Sequence, residues 1–141
     1  MATARSDRFT EQSRKNELYS DFLTNLTPHP VSGEVMRFVN ENAVTRSIKN
    51  LLMTNRNERL YQPNIGSDIQ KLLFEPMMQS TADTLATSIR ETIDKYEPRA
   101  KVLNVTVVSD YINNAYTVNV VYMVINRQEP VSVNITLTRV R

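Results

Sequence analysis

The sequence predicts an α+β fold, in which N-terminal helices pack on a C-terminal antiparallel β-meander of about three strands. Three observations support this prediction. Apolar residues recur at helical spacing over residues 40–54 and again over residues 80–97. From Lys101 onward they alternate with polar residues, which is the period of a strand. The length of 141 residues fits one domain with a sizeable core.

The first 40 residues are predicted to differ from the rest. Residues 1 to about 17 are polar, mixed in charge and almost free of apolar anchors, which favours an arm that is mobile or ordered by a partner. Two prolines and Gly33 then predict an irregular segment. The predicted division is therefore an N-terminal arm with an irregular segment over 1–40 and a domain over 41–141.

The first helix is predicted from near Asn40 to near Thr54. Its apolar stripe repeats at helical spacing and consists of Val44, Ile48, Leu51 and Leu52. After a loop, "DIQKLLFEP" predicts a short helix that Ser67 or Asp68 can cap. This helix stops before Pro76, because the residue before a proline is pushed out of the α region.

The second long helix is predicted in "QSTADTLATSIRETIDKYEP". Ser80, followed three residues later by Asp83, resembles a weak form of the capping box. The buried stripe steps by about four residues and consists of Leu85, Ile89, Ile93 and Tyr96. Glu97 is the last residue that can be helical, because Pro98 stops the helix and fixes the direction of the chain beyond it.

Three strands are predicted after this helix. The first two are joined by a turn in which Asn113 and Asn114 tolerate positive φ. One face of the middle strand carries Tyr116, Val118, Val120, Tyr122 and Val124. The far half of its other face carries Val121, Met123 and Ile125, so that half is expected to be buried on both sides. The last strand points Val131, Val133, Ile135 and Leu137 to one side and polar residues to the other.

The edges of this terminal sheet are predicted to be open. An unprotected edge strand is a template for pairing with another chain. The last strand has Arg139 and Arg141 at its end but no proline after Pro130. Two interpretations remain: the edge pairs with another chain, or the edge is tolerated and blunted by charge.

Composition excludes several classes of function. The 17 basic and 15 acidic side chains give a net charge of +2, which does not favour nucleic acid or an anionic membrane as a partner. No apolar run approaches the roughly 20 residues of a membrane helix. The chain has no cysteine, one histidine and two glycines, so a thiolate metal site and a glycine-rich phosphate loop are excluded. We expect no metal and no cofactor.

Three glutamates are candidates for acid–base chemistry: Glu58, Glu75 and Glu97. A glycosidase needs two carboxyl groups roughly 5 to 9 Å apart across a sugar-binding cleft. Such clefts also need aromatic platforms, and this chain has no tryptophan. Each glutamate stands beside a proline or an arginine, and a neighbouring arginine lowers the pKa of a carboxyl, which is the wrong direction for a general acid. We therefore expect no catalytic residues and no enzyme.

The corner formed by Glu97, Pro98 and Arg99 has a stronger structural interpretation. Arg99 offers a planar fork of five donors, suited to bidentate contact with a carboxylate or with helix-end carbonyls. Glu97 could orient that fork or accept backbone N–H groups from a neighbour. The corner is therefore either a rigid docking element or a local surface ion pair worth about 0 to 1 kcal/mol.

Five ordered motifs resemble a known family. They are Arg46-Ser47-Ile48-Lys49-Asn50-Leu51, Glu58-Arg59, the loop from Pro63 to Gly66, Leu73-Phe74-Glu75-Pro76 and Glu97-Pro98-Arg99. Their order and spacing, over residues 40 to 125, resemble the short baseplate wedge or sheath-initiator proteins of contractile phage tails. The same family includes the type VI secretion baseplate subunit, to which a lysozyme-like label is attached. Asn57 stands where the family usually has glycine, and asparagine preserves the turn because it tolerates positive φ.

The resemblance implies a structural wedge subunit, repeated in a sixfold ring, made in the host cytoplasm and carried in the tail baseplate of the virion. The implied partners are the larger wedge subunits and the tail sheath protein, with hub or tube proteins as further candidates. The Glu97-Pro98-Arg99 corner would contact the larger wedge subunits, and the sheet over 115–141 would template the first sheath ring by strand exchange. The template positions would be Tyr116, Val118, Val120, Val131, Val133, Ile135 and Leu137.

The alternative is a tail-associated murein hydrolase, because some members of the family carry a lysozyme label. The sequence argues against it, since it offers no second matched carboxylate and no aromatic cleft. Arginines also stand beside Glu58 and Glu97.

Overall fold

A computed structural model describes residues 18–23, 25–31 and 33–139. Its elements are β1 (Ser20–Phe22), β2 (Arg37–Val39), α1 (Glu41–Met53), α2 (Ile69–Leu73), α3 (Gln79–Tyr96), β3 (Ala100–Asp110), β4 (Ala115–Val124) and β5 (Pro130–Thr138). Helices followed by a three-stranded antiparallel sheet confirm the predicted α+β class. The predicted arm over residues 1 to about 17, and Arg141, lie outside the described residues.

A short strand pair precedes the first helix. β1 and β2 are antiparallel, with Ser20 opposite Val39. Asn40 ties this pair to α1, because its N–H donates to the Tyr19 carbonyl at 2.7 Å and its Oδ1 accepts from the Leu18 N–H at 2.9 Å. The irregular segment predicted from the sequence therefore contains two strands. The division of the chain at residue 40 remains a prediction.

The predicted capping of α2 is wrong. Asp68 is the N-cap residue, but its side chain makes no capping hydrogen bond. Its carboxylate instead lies 2.9 Å from both Arg56 Nε and Lys71 Nζ. Ser67 Oγ donates to the carbonyl of Leu52 at 2.7 Å, at the end of α1. The Asp68 carboxylate thus binds two cations, and the Ser67 hydroxyl binds a buried carbonyl, so neither side chain caps the helix.

The predicted capping box of α3 is also wrong. The helix begins at Gln79, and its N-cap residue is Met78, two residues before Ser80, with no side-chain capping bond. Asp83 Oδ1 accepts from Gln79 Nε2 at 3.1 Å, within the first turn of the helix. The end of α3 agrees with the prediction, because its C-cap residue is Glu97.

The core lies between the three helices and one face of the main sheet. The sheet order is β3-β4-β5, and the buried cluster includes Val44, Ile48, Leu85, Ile89, Ile93, Val118, Val120, Tyr122 and Ile135. Tyr96, predicted for the buried stripe, is half-buried. None of the described helices has the length and apolar character needed to cross a membrane.

The outer face of the sheet differs from the prediction. Val121 and Met123 are only half-buried, and Ile125 is 48% exposed just after β4 ends. Burial on both sides is therefore wrong, because the buried cluster draws only on the inner face of β4. The hairpin between β3 and β4 agrees with the prediction, since Asn114 has a φ of 51°.

The loop between α1 and α2 depends on Gly66. Its φ is 138°, and a Cβ at this position would lie 2.7 Å from the backbone C and O atoms of Asn55. This close approach allows the Ser67 N–H to donate to the Thr54 carbonyl at 2.9 Å. Asn57 has a φ of 67°, so this asparagine adopts the positive φ that was expected at the turn.

Gly66→Ala should lower the free energy of unfolding by at least about 2 kcal/mol, because strained backbone and steric overlap add. Gly33→Ala is the matched control, since Gly33 also has positive φ but has open space around it. It should cost about 1 kcal/mol. Urea unfolding of both variants measures the difference, and equal losses would contradict this role of the Gly66 contact.

Candidate functional site: a helix-end corner and an open sheet edge

The chain turns sharply from α3 into β3 at the predicted corner. Glu97 still donates its N–H to the Ile93 carbonyl at 2.8 Å, although its backbone has left the helix. Its carbonyl accepts from the Ala100 N–H at 3.1 Å, which closes the turn around Pro98. The Arg99 carbonyl accepts from Ile125 at 2.9 Å, so the corner is joined directly to the end of β4.

Glu97 and Arg99 form a bidentate ion pair. Arg99 Nε lies 2.6 Å from Glu97 Oε1, and Arg99 Nη2 lies 2.8 Å from Oε2. The Glu97 side chain is only 4% exposed, whereas that of Arg99 is 34% exposed. The bidentate contact expected for Arg99 is therefore present, but its carboxylate belongs to the same chain. Because the acid is buried, this is not a simple surface ion pair.

The surroundings of Glu97 keep it ionised. Burial alone raises its pKa, but hydrogen bonds from Arg99 and Ser47 and the charge of Arg99 outweigh burial, so the pKa lies below its ordinary value. The hydrogen bond to Glu97 in turn raises the pKa of Arg99. Since a general acid needs a raised pKa, Glu97 is suited to anchoring Arg99 rather than to proton transfer.

Two contacts of the corner could not be read from the sequence. Ser47 reaches Glu97 from α1, and the Tyr19 ring centroid lies 5.6 Å from the Arg99 guanidinium carbon, a cation–π distance. No spacing rule connects segments this far apart in sequence. The sequence showed only that serine and tyrosine are residue types able to make such contacts. The corner therefore joins four parts of the chain.

A polar cleft lies beside the corner, with a volume of about 240 Å³. It is lined by Asp21, Ser47, Asn50, Leu51, Arg59, Ile65 and Tyr96. Three sequence motifs meet in it: Ser47, Asn50 and Leu51 come from the first motif, Arg59 comes from the Glu-Arg pair, and Ile65 comes from the loop from Pro63 to Gly66. Glu58, the other member of that pair, accepts from the Asn55 N–H at 2.7 Å and holds the loop.

The remaining motif residues lie elsewhere. The carbonyl of Pro63 accepts from the Asn57 N–H at 2.8 Å. Glu75 and Pro76 are exposed. Phe74 is 64% exposed, and its carbonyl accepts from Arg139 Nη2 at 3.0 Å. The structure therefore distributes the motifs over the corner, the loop and a second groove. Glu58, Glu75 and Glu97 do not share an ion pair.

The second groove runs along the end of β5 and has a volume of about 240 Å³. It is lined by Leu52, Met53, Ile69, Gln70, Leu73, Phe74, Thr136, Leu137, Thr138 and Arg139. Most of these side chains are apolar, and the lining comes from α1, α2, the residue after α2 and the end of β5. The groove therefore places apolar surface directly beside the outermost strand of the sheet.

The backbone of β5 has one paired side and one open side. Arg139 donates its N–H to the Asn114 carbonyl at 3.2 Å, toward β4. Successive residues direct their backbone groups to opposite sides of a strand, and the register with β4 is unbroken. The residues that turn N–H and C=O groups to the open edge are therefore Ser132, Asn134, Thr136 and Thr138. No strand pairs with this edge in the described part of the chain.

The predicted template residues lie with their side chains toward the core. Tyr116, Val118, Val120, Val133, Ile135 and Leu137 are buried, and Val131 is half-buried against the same cluster. Their side chains hold the sheet to the helices. Another chain could therefore meet this sheet only through the backbone edge or the outer face.

Within residues 18–23, 25–31 and 33–139, no cluster of His, Asp or Glu has the arrangement of a metal site.

A helical layer packs on one face of the sheet, an ion pair with a buried carboxylate holds the corner, and the β5 edge is unpaired in the described part of the chain. The chain belongs to the baseplate wedge protein gp25 family, whose model matches residues 39–129. This membership confirms the resemblance found in the sequence and places the chain in the tail baseplate of the virion. The family is one of structural baseplate proteins.

One relative is similar to this chain in sequence, and two solved structures are similar to it in fold. The baseplate wedge protein gp25 of Enterobacteria phage T4 is 28% identical over 116 residues, covering 82% of this chain and 87% of the relative. A Geobacter sulfurreducens protein that carries the label tail lysozyme has a similar fold, with a TM-score of 0.65 and 21% identity over 70% of this chain and 89% of that one. A chain of the anti-feeding prophage baseplate has a TM-score of 0.60 and 19% identity, with 87% of each chain covered.

Glu97→Gln should lower the free energy of unfolding at pH 7 by about 2 kcal/mol, because Arg99 loses its charged partner while staying partly exposed. The lowered pKa of Glu97 means that the pair stabilises the fold above the ordinary value of 4.5. That contribution is lost as the pH falls through the folded-state pKa. The difference between variant and wild type should therefore shrink below pH 4.5.

Urea unfolding between pH 3 and pH 7 tests this prediction. Glu91→Gln is the matched control, because Glu91 is exposed on α3. It should change stability by less than about 0.5 kcal/mol at every pH. A Glu97→Gln loss that does not vary with pH would contradict the ionised state assigned to the buried carboxylate.

Proposed function

We propose that this chain docks on the larger wedge subunits through its corner and templates the first ring of the tail sheath by β-strand addition. The open edge of β5 carries this proposal, because its four outward residues present N–H and C=O groups in register along a rigid sheet. Backbone hydrogen bonds of this kind supply affinity for an added strand, while neighbouring side-chain pockets supply specificity.

The groove beside β5 supports the same role. An added strand would lie about 4.8 Å from β5, and alternate side chains would then point toward the groove lined by Leu73, Phe74 and Leu137. Apolar side chains of the added strand would be removed from water there. Arg139, one of the two arginines that could blunt the edge, donates from Nη2 to the Phe74 carbonyl at 3.0 Å and lines the groove.

The rigid corner supports docking on the wedge. Because Glu97 is buried and holds Arg99, the corner keeps one shape before and after assembly, which lowers the entropy cost of binding. Copies docked in the same way around the hub and tube would form a sixfold ring. Each copy would present one β5 edge to the sheath protein.

Asn134→Pro should stop sheath assembly while baseplates still form. Its N–H faces the open edge, so proline removes a donor needed by an added strand without removing a bond to β4. Complementation of a virus lacking this gene, followed by negative-stain electron microscopy, would count sheathed tails. We expect a loss of more than about tenfold, since a strand addition that loses a central bond and meets the proline ring costs several kcal/mol.

Asn134→Ala is the matched control, because it removes the same side chain and keeps the N–H. It should give normal sheathed tails. Thermal unfolding of both variants must show a folded protein, since β5 also contributes Val133, Ile135 and Leu137 to the core. Normal sheaths with a folded Asn134→Pro protein would contradict the template role.

The chain should not hydrolyse murein. The three glutamates considered for catalysis have other roles or positions. Glu97 is buried and pairs with Arg99, Glu58 accepts a backbone N–H in the loop, and Glu75 is exposed. Purified protein should not clear a murein suspension in a turbidity assay, with hen lysozyme as the positive control. Clearing that Glu97→Gln abolishes would establish the hydrolase alternative.

A further inference from the structure

Arg59 lies in the polar cleft and forms no ion pair with an acid in the described part of the chain. It lines the cleft and is exposed. It makes no hydrogen bond or ion pair with residues 18–23, 25–31 or 33–139. The arginines of the corner and of the β5 groove differ, because Arg99 is bound by Glu97 and Arg139 by the Phe74 carbonyl.

The walls of this cleft are held in place before any partner arrives. Ser47 and Asn50 lie one turn apart on α1 and therefore share a helix face. The hydroxyl of Tyr96 donates to the carbonyl of Asn64, which fixes the far side of the loop. Glu58, next to Arg59, accepts the Asn55 N–H at 2.7 Å. Arg59 is therefore presented from a braced loop.

The charge of Arg59 is not paired within the described part of the chain. Lys95 lies with its Nζ 5.2 Å from the ring centroid of Tyr96, which lines the cleft. Asp21 is the acid in the lining, and its Oδ1 accepts from the Phe22 N–H at 2.8 Å. The lining therefore holds one cation and one acid, and no ion pair joins them within the described residues. The guanidinium of Arg59 is left to a carboxylate from another chain, which its planar fork matches bidentately.

We propose that Arg59 binds an aspartate or glutamate side chain of a second protein chain, and that it is the charged contact of the docking surface. Arg99 is then a positioning residue, because its fork is bound by Glu97 within the chain. This inference rests on the proposed function, in which the neighbouring corner docks on a larger wedge subunit. It reassigns the charged contact from the corner to the cleft beside it.

Arg59→Glu and Arg99→Ala should fail in different ways. Each variant is supplied to a virus lacking this gene, and its copies per purified baseplate are counted by quantitative mass spectrometry. Arg59→Glu should be incorporated about tenfold less than wild type, because like charges meet at the contact, while its thermal midpoint as a purified protein stays unchanged. Arg99→Ala should lower the thermal midpoint, because Glu97 is left buried without its partner.

Arg90→Glu is the matched control, because Arg90 is exposed on α3 and does not line the cleft. It should be incorporated normally, and Arg59→Lys should retain part of the wild-type level. Normal incorporation of Arg59→Glu would overturn this inference alone. A wild-type chain absent from purified baseplates would instead contradict the proposed function.

Discussion

The buried ion pair between Glu97 and Arg99 determines how the two halves of the fold meet. Proline stops α3 at this point, but a stopped helix could leave in many directions. The bidentate contact fixes the direction, because it requires the side chains on either side of Pro98 to face each other. A carboxylate buried this deeply without its cation would be strongly destabilising, so the corner has one stable arrangement.

The other parts of the molecule depend on this corner. Ser47 connects it to α1, and Tyr19 connects it to the strand pair before α1. The Arg99 carbonyl connects it to the end of β4. The sheet is thereby held at a fixed angle to the helices. Its core-facing side chains are used internally, and the contacts proposed for other chains are the open backbone of β5 and the cleft that contains Arg59.

Much of this architecture follows from local rules in the sequence. Helical spacing located α1 and α3, and Pro98 located the end of α3. Period-two alternation identified the inner face of β4. The capping predictions failed at Asp68 and Asp83, because a capping residue type does not show whether a nearby cation or amide binds its side chain instead.

The partner of Arg99 could not be deduced in the same way. An arginine beside a glutamate and a proline can bind a carboxylate of its own chain or of a neighbouring chain. Only the backbone geometry shows which of these two carboxylates it binds. Tyr19 and Ser47 were missed because tertiary contacts between distant segments leave no spacing pattern. The alternation in β5 correctly predicted which side chains are buried, yet the open edge depends on backbone directions that the side-chain pattern alone does not give.

In the proposed role, β5 offers its open edge to a strand of another chain. A density map of the intact sheathed tail, resolved well enough to trace strands around residues 130–138, tests it most directly. We expect a sheath strand about 4.8 Å from β5, hydrogen-bonded to Ser132, Asn134, Thr136 and Thr138. A β5 edge that faces solvent in the sheathed tail, or that is covered by another segment of this same chain, would contradict it.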